Sequence, residues 1–338
     1  MSLVALYDLP APAKLNLFLH LVGRRADGYH LLESLFVLID WCDTLHLERR
    51  DDGKLRRHDL GETLPDDDLC LRAARALQQA SGCPLGADIH ILKRVPWGAG
   101  LGGGSSDAAT VLLGLNRLWG LGWPRARLLE LGEQLGADVP FFLGGCNAWV
   151  QGIGEQLTPL EIPAGQRFAV LKPPVALPTP SIFRHAATQA LVDAAIVAGS
   201  PARETTQGFS AGAAAESSKE AQRLIENGTP PGPAAVTAPE QVLRWLEGEG
   251  RNDLQPASEA LAPEVTDGLA WLQARYGNSR MTGSGSAVFA RAGTIGAPLA
   301  IDPKVLQAQA QPAPGVPEGW VFRECRSLAS HPLVAWAD

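Results

Sequence analysis

The residues most able to do chemistry lie between Val95 and Asp107, which read Val-Pro-Trp-Gly-Ala-Gly-Leu-Gly-Gly-Gly-Ser-Ser-Asp. Five glycines, Gly98, Gly100, Gly102, Gly103 and Gly104, follow Pro96 and lead into Ser105 and Ser106. An alternating run from Asp88 to Val95 enters this stretch as a strand. Ala108, Val111, Leu112, Leu115 and Trp119 leave it at helical spacing. Glycines let backbone N–H groups approach an anion closely, and the start of the helix adds unpaired N–H groups and a positive dipole end. The chemistry this favours is the grip of a phosphate. Either serine can cap the helix, touch phosphate or reach a Mg²⁺ ion. Lys93 and Arg94 precede the loop, either beside the nucleotide or as a solvated strand end.

Gly98, Gly100 and Gly103 also satisfy the dinucleotide fingerprint G-x-G-x-x-G. That motif requires helix, then strand, then an acidic strand end about 20 residues on. Here a second helical pattern follows the first, carried by Leu128, Leu131 and Leu135 from Pro124 onward, with Gly136 placed to stop it. The G-x-x-x-x-G-K-[ST] loop is absent as well. The phosphate grip belongs to another class.

Other residues stand out by type. Lys14 interrupts an apolar strand pattern over Lys14–Val22, where a charge is costly unless it is paired or near the surface. Asn16, two residues on, shares its strand face. Asp138, between Gly136 and Pro140, reads as a carboxylate able to accept a proton, or as a cap before a short helical turn. Tyr29, His30 and Phe183 can stack on a base and read its edge, or pack and turn in the ordinary way.

The elements that must position these groups alternate in type. Leu31–Ile39 and Thr44–Arg49 read as two further strands, and Arg24–Gly28 as a turn. Leu69–Ser81 has helical spacing with capping carboxylates at Asp66–Asp68. Trp149–Gln151 and Phe168–Lys172 read as strands, and Glu240–Glu247 and Val265–Tyr276 as helices. The spacing predicts a boundary near Ala164-Gly165, giving domains of 1–164 and 165–338. Residues 186–239, rich in Ala, Ser, Gly, Thr and Pro, read as a flexible insertion, and Gly293–Gly319 as a second loose segment.

The whole chain bounds the reading. Its 338 residues suit two domains, and 46% hydrophobic residues suffice for buried cores. A net charge of −7 argues against nucleic acid as a partner. Five scattered cysteines without a C-x-x-C pair argue against a disulfide framework or structural zinc. No apolar run reaches the ~20 residues of a membrane span, and the N-terminus lacks a signal-peptide pattern, so a cytoplasmic location is expected. Oligomeric state leaves no mark in the sequence.

The run Pro96-x-Gly98-x-Gly100-Leu-Gly-Gly-Gly-Ser-Ser-Asp-Ala-Ala109 resembles the phosphate loop of the superfamily of galactokinase, homoserine kinase, mevalonate kinase and phosphomevalonate kinase. Pro12-Ala-Lys-Leu-Asn16-Leu and Arg280-Met-Thr-Gly-Ser-Gly-Ser-Ala-Val288-Phe agree with it, in the expected order. Arg25–Ser34, Gly136–Phe142, Thr179–Phe183 and Asn252–Pro256 resemble the branch acting on a cytidine-diphosphate-linked methylerythritol. The resemblance implies a two-domain α+β fold with its site in the interdomain cleft. It implies ATP and Mg²⁺ as cofactors and transfer of the γ-phosphate to the substrate's 2-hydroxyl, a step of non-mevalonate isoprenoid synthesis. It makes Lys14 and Asp138 the catalytic pair, and it gives Asn16, Tyr29, His30, Asp138, Thr179 and Phe183 to the substrate. Lys93, Pro96, the glycines, Ser105, Ser106 and Asp68 go to the nucleotide, with Ser106 toward the metal. The chain departs at Asp68, where the family usually carries Asn. The rival readings are a relative acting on another small alcohol and a catalytically inactive nucleotide binder. Retention of both Lys14 and Asp138 favours an enzyme.

Overall fold

The protein is described here by a computed structural model covering residues 3–163, 165–185, 187–191, 239–294 and 315–337. The two loose segments expected at 186–239 and 293–319 lie for the most part outside these residues.

The chain opens with two long antiparallel strands, β1 (Ala5–Arg24) and β2 (His30–Arg50), joined by a hairpin over residues 25–29. Gly28 takes φ 92° there, a conformation glycine adopts without steric cost. The sequence pattern suggests two strands where β2 is one, because Asp40 and Asp43 break the apolar run. Their carboxylates accept backbone N–H groups instead: Asp40 from Arg326 (2.7 Å), and Asp43 from Arg94 and Val95 (2.8 Å to Val95). Buried acids with backbone donors can sit inside a strand without breaking it.

β3 (Leu55–Asp59), α1 (Leu69–Ser81) and β4 (Gly86–Leu92) form a parallel crossover unit. α1 spans the predicted residues. Asp68 caps it, accepting from the Leu71 N–H at 3.1 Å, and Gly82 ends it at φ 65°. α2 (Gly103–Leu118) follows the glycine loop and is buried from Ser106 through Asn116. It packs on β1, β2 and α1, so it is the central helix of the first half. α3 (Arg125–Glu133) has Gln134 as its C-cap, two residues before the predicted stop at Gly136. Gly136 lies in the turn beyond and is not among the positive-φ residues, so it is not the C′ glycine. α4 (Val139–Gly144) is short and buries Val139 through Leu143. β5 (Ala148–Gln151) and β6 (Gln156–Pro159) complete a six-stranded sheet, ordered β3-β4-β2-β5-β6 with β1 also on β2.

The second half holds a four-stranded sheet ordered β10-β7-β9-β8. Its strands are β7 (Gln166–Lys172), β8 (Arg280–Met281), β9 (Val288–Thr294) and β10 (Val321–Arg326). Its helices are α5 (Thr179–Arg184), α6 (Pro239–Glu247), α7 (Gln255–Leu261) and α8 (Pro263–Tyr276). Residues after β10 return to the first half. The Leu328 N–H donates to Leu38 O at 2.8 Å, His331 N–H to Gly145 O at 2.8 Å, and Arg125 N–H to Ala337 O at 2.7 Å. The C-terminal end therefore closes over the first sheet, although the sequence places it with the second half. Mixed helix and sheet in two sheet-based halves match the α+β expectation.

Candidate active site

The glycine loop connects β4 to α2 and is held from below. Lys93 Nζ pairs with Asp107 at 2.6 Å and also with Asp43, a group fully removed from solvent. Burial alone would lower the Lys93 pKa, but Asp107 and Asp43 outweigh it and hold the ammonium charged. Burial pushes the Asp107 carboxyl well up, Lys93 pulls it back, and Asp43 adds to the rise. This corrects the reading of Lys93 as a solvated strand end. Its ammonium is largely buried and anchors the loop's base to β2 and α2.

Above that base, Gly102 is the N-cap of α2 at φ 72°, with no side-chain hydrogen bond. Neither Ser105 nor Ser106 caps the helix, so its first N–H groups stay available to an anion. A side chain at Gly102 is excluded: a Cβ there would lie 2.9 Å from Phe142 Cζ and 3.1 Å from Lys14 Cγ. The loop is backed by the turn after β8. A Cβ on Gly100 would meet Thr282 O at 2.4 Å, and one on Gly283 would meet Gly100 O at 2.6 Å. Ala287 N–H donates to Ala99 O at 3.1 Å, joining the two segments. The Gly283–Ser286 turn thus supports the loop.

Lys14 reaches this loop from β1. Its N–H donates to Leu101 O at 3.0 Å, so backbone pairing fixes the strand against the loop. Its Nζ lies 2.5 Å from Asn16 Oδ1, 3.6 Å from Asp138 Oδ2 and 4.5 Å from the Phe36 ring centroid. The lysine is almost wholly buried. Burial lowers its pKa and Asp138 partly restores it. Asp138 precedes α4, where Pro140 and the buried Phe141 and Phe142 fix the turn. Its side chain is 31% exposed and makes no cap hydrogen bond, so the capping alternative fails. The result is a carboxylate open on one side and held by a buried ammonium on the other.

Asn16 is itself buried. Its Oδ1 accepts from Lys14 and from Thr282 Oγ1 (3.3 Å), its Nδ2 donates to Ser34 Oγ (2.9 Å), and its N–H donates to Thr282 Oγ1 (2.9 Å). These bonds make it an orienter of Lys14. Thr282 and Ser34, which complete the network, lie within runs that carry the family resemblance but are given no role of their own by it.

A second cluster lies at the β1–β2 hairpin. The His30 and Phe183 rings stand 5.1 Å apart and 34° from parallel. Gln189 spans them, bonding Phe183 O at 2.7 Å and His30 Nε2 at 3.2 Å, and its Oε1 accepts from Arg24 at 2.9 Å. Burial and the Arg24 charge lower the His30 pKa, keeping it neutral near pH 7. Tyr29 is largely exposed and touches neither ring among the described residues. Thr179 Oγ1 shares a 2.8 Å hydrogen bond with Ser284 Oγ, tying α5 to the turn behind the loop. Gln189 was not legible, since it lies in the Ala/Ser-rich stretch read as an insertion.

Asp68 is committed locally: besides capping α1 it pairs with Arg57 at 2.9 Å. Pro96 and Ser105 are half-buried along the loop. Ser106 is fully buried, and its Oγ has no hydrogen-bond partner. An orphan oxygen at the start of α2 suits a Mg²⁺ ion, which takes few protein ligands alongside phosphate oxygens and water. Among the described residues no cluster of three His, Cys, Asp or Glu side chains forms a cage of its own. No described helix is long and apolar enough to cross a membrane.

Residues 68–146 match the family profile described as GHMP kinases N terminal domain, and residues 234–298 match GHMP kinases C terminal. The 4-diphosphocytidyl-2-C-methyl-D-erythritol kinase of Methylibium petroleiphilum is 56% identical over 100% of both chains. That of Variovorax paradoxus is 51% identical, over 98% of this chain and 99% of its own. A crystal structure of 4-(cytidine 5'-diphospho)-2C-methyl-D-erythritol kinase superposes with TM-score 0.61 at 33% identity, covering 85% of this chain and 90% of that one. A homoserine kinase from Cytophaga hutchinsonii shares the fold, with TM-score 0.58 at 18% identity over 97% and 95% of the two chains. With full-length relatives above half identity and both domain profiles in order, the chain belongs to the 4-diphosphocytidyl-2-C-methyl-D-erythritol kinase family of the GHMP kinases.

Proposed function

We propose that the protein transfers the γ-phosphoryl group of ATP to the 2-hydroxyl of 4-diphosphocytidyl-2-C-methyl-D-erythritol, within non-mevalonate isoprenoid synthesis. The observation that carries the reading is the Lys14–Asp138 pair at 3.6 Å, on a strand bonded directly to the glycine loop. Phosphoryl transfer depends mainly on positioning and charge stabilisation. The N–H groups at the start of α2 and the glycine loop hold the phosphates. Asp138 orients the substrate hydroxyl and accepts its proton at an oxygen of its open side. Lys14 fixes that carboxylate, and Asn16 fixes Lys14. His30 and Phe183 supply the surfaces on which a cytosine can lie, with Tyr29 at the rim and Thr179 beside the reacting end. Bound Mg²⁺, which Ser106 would help hold, neutralises phosphate charge. The two halves divide at 164/165, with the tail after β10 serving the first.

The test is ADP release by the purified protein with Mg-ATP and, in parallel, 4-diphosphocytidyl-2-C-methyl-D-erythritol, homoserine, mevalonate and galactose. Turnover with the cytidine compound alone is expected. Turnover only with another alcohol would keep the kinase and remove the cytosine pocket.

A further inference from the structure

Arg280 opens β8 and is buried, at 6% exposure. Its Nη1 and Nη2 donate to the carbonyls of Glu249 (3.3 Å) and Trp245 (2.6 Å), and its guanidinium carbon lies 5.0 Å from the Phe289 ring centroid. Its Nε has no partner, and no carboxylate lies within ion-pair distance among the described residues. Burial pushes its pKa down to about 10, which still leaves it cationic at neutral pH. A buried charge is normally paired, since the carbonyls that surround it neutralise only part of its cost.

Arg280 lines a cleft of about 270 Å³ together with Leu191, Gly250, Arg251, Asn252, Asp253, Gln255, Pro256 and Ser279. The cleft's other charges cancel, because Arg251 Nε pairs with Asp253 at 2.6 Å and Asp253 also accepts the Leu21 N–H at 2.8 Å. Gln255 is spent on Met281 N–H and on Glu259. One surplus positive charge therefore faces a space with both polar and apolar walls, the latter from Leu191 and Pro256. We propose that this cleft is a binding site for a small organic oxyanion, a phosphate ester or a carboxylate, drawn by the charge of the buried Arg280 guanidinium in its wall. The site is separate from the phosphate loop, but the wall between them is shared. Asn252 Nδ2 donates to Met281 O (2.9 Å) and Gly283 O (2.8 Å), and Gly283 packs on Gly100. An anion there would brace the turn that backs the loop.

The experiment uses the full chain with saturating Mg-ADP, so that the phosphate loop is filled. Glycerol 3-phosphate, succinate and inorganic phosphate are titrated at constant ionic strength, with chloride as the control. Melting temperature and the arginine Nε–H resonances are followed. The wild type is expected to gain melting temperature with at least one oxyanion and to move a single arginine resonance. The arms separate phosphate from carboxylate preference. Arg280→Met removes the charge at similar volume, and Leu191→Trp fills the cleft without touching it. Each should weaken the apparent affinity at least tenfold while turnover persists. No response to any oxyanion beyond chloride would overturn the proposal, and so would an equal response in both variants. Neither result bears on the acceptor tested above, which is read from ADP release.

Discussion

Exchanging Asp138 for asparagine removes one negative charge and keeps the side chain's shape. Two consequences follow, of different size. In catalysis, loss of a positioned proton acceptor typically costs about 10²–10⁴-fold in rate, which is about 3–5 kcal/mol of transition-state stabilisation. In stability, Lys14 loses its carboxylate. Removing one partner of a fully buried pair costs about 3–5 kcal/mol, but solvent reaches Asp138 and screens this pair, so about 1–2 kcal/mol is the better figure. Asn16 Oδ1 at 2.5 Å and the Phe36 ring at 4.5 Å remain to hold the ammonium. The glycine loop is bonded to the Lys14 backbone and not to Asp138. The D138N protein should therefore fold, bind Mg-ADP as the wild type does, and lose kcat. Single-turnover kinetics with calorimetric Mg-ADP binding separates these effects. Unchanged kcat would remove Asp138 from the chemistry. A kcat loss matched by an equal loss of Mg-ADP affinity would show that the carboxylate supports the loop, refuting the division of roles.

Other perturbations reach different parts of the molecule. Gly102→Ala places a Cβ against Phe142 and Lys14 at φ 72°, so it should cost about 1–3 kcal/mol in strain alone and depress kcat strongly, as thermal melts and turnover would register. Phe183→Ala should raise KM for the cytidine substrate and leave KM for ATP unchanged; an equal rise in both would contradict the pocket. Lys93→Met strands Asp43 and Asp107 beneath the loop and should destabilise by about 3–5 kcal/mol in urea melts. Glu33 gives a pH signature: burial, opposed by a hydrogen bond from Gln151, raises its pKa from 4.5 to about 7. The folded state then binds more protons than the unfolded chain across that interval, so stability falls as pH rises from about 4.5 to 7, by up to about 3 kcal/mol. Glu33→Gln should flatten that fall, and an unchanged stability–pH curve would show that Glu33 is not its source.

The parts of the site that were legible are those where residue type alone limits the possibilities. Glycines that pack against backbone, a lysine inside an apolar strand and an aspartate before Pro140 each have few structural uses. The reading failed where a polar side chain's role depends on a partner far away in sequence. Lys93 looked available because nothing local shows Asp43, fifty positions earlier, closing on it. Asp43 also hid the continuity of β2, since a strand pattern cannot show that Val95 N–H satisfies a buried acid. The contact of Asn16 with Thr282 spans 266 positions, so its part in orienting Lys14 leaves no local trace. The tail after β10 was misplaced for the same reason: its hydrogen bonds to Leu38 and Gly145 are tertiary and leave no periodic trace.

The mutual packing of Gly100 and Gly283 sets a schedule for the nascent chain. Every strand of the first sheet has been made by Pro159, but the turn that backs the loop emerges about 180 residues after the loop itself. At typical synthesis rates of about 5–20 residues per second, that is a delay of roughly 9–36 s. During that interval a folded first sheet would carry an unsupported loop. A chain ending before Gly283 would therefore lack the turn that packs on Gly100.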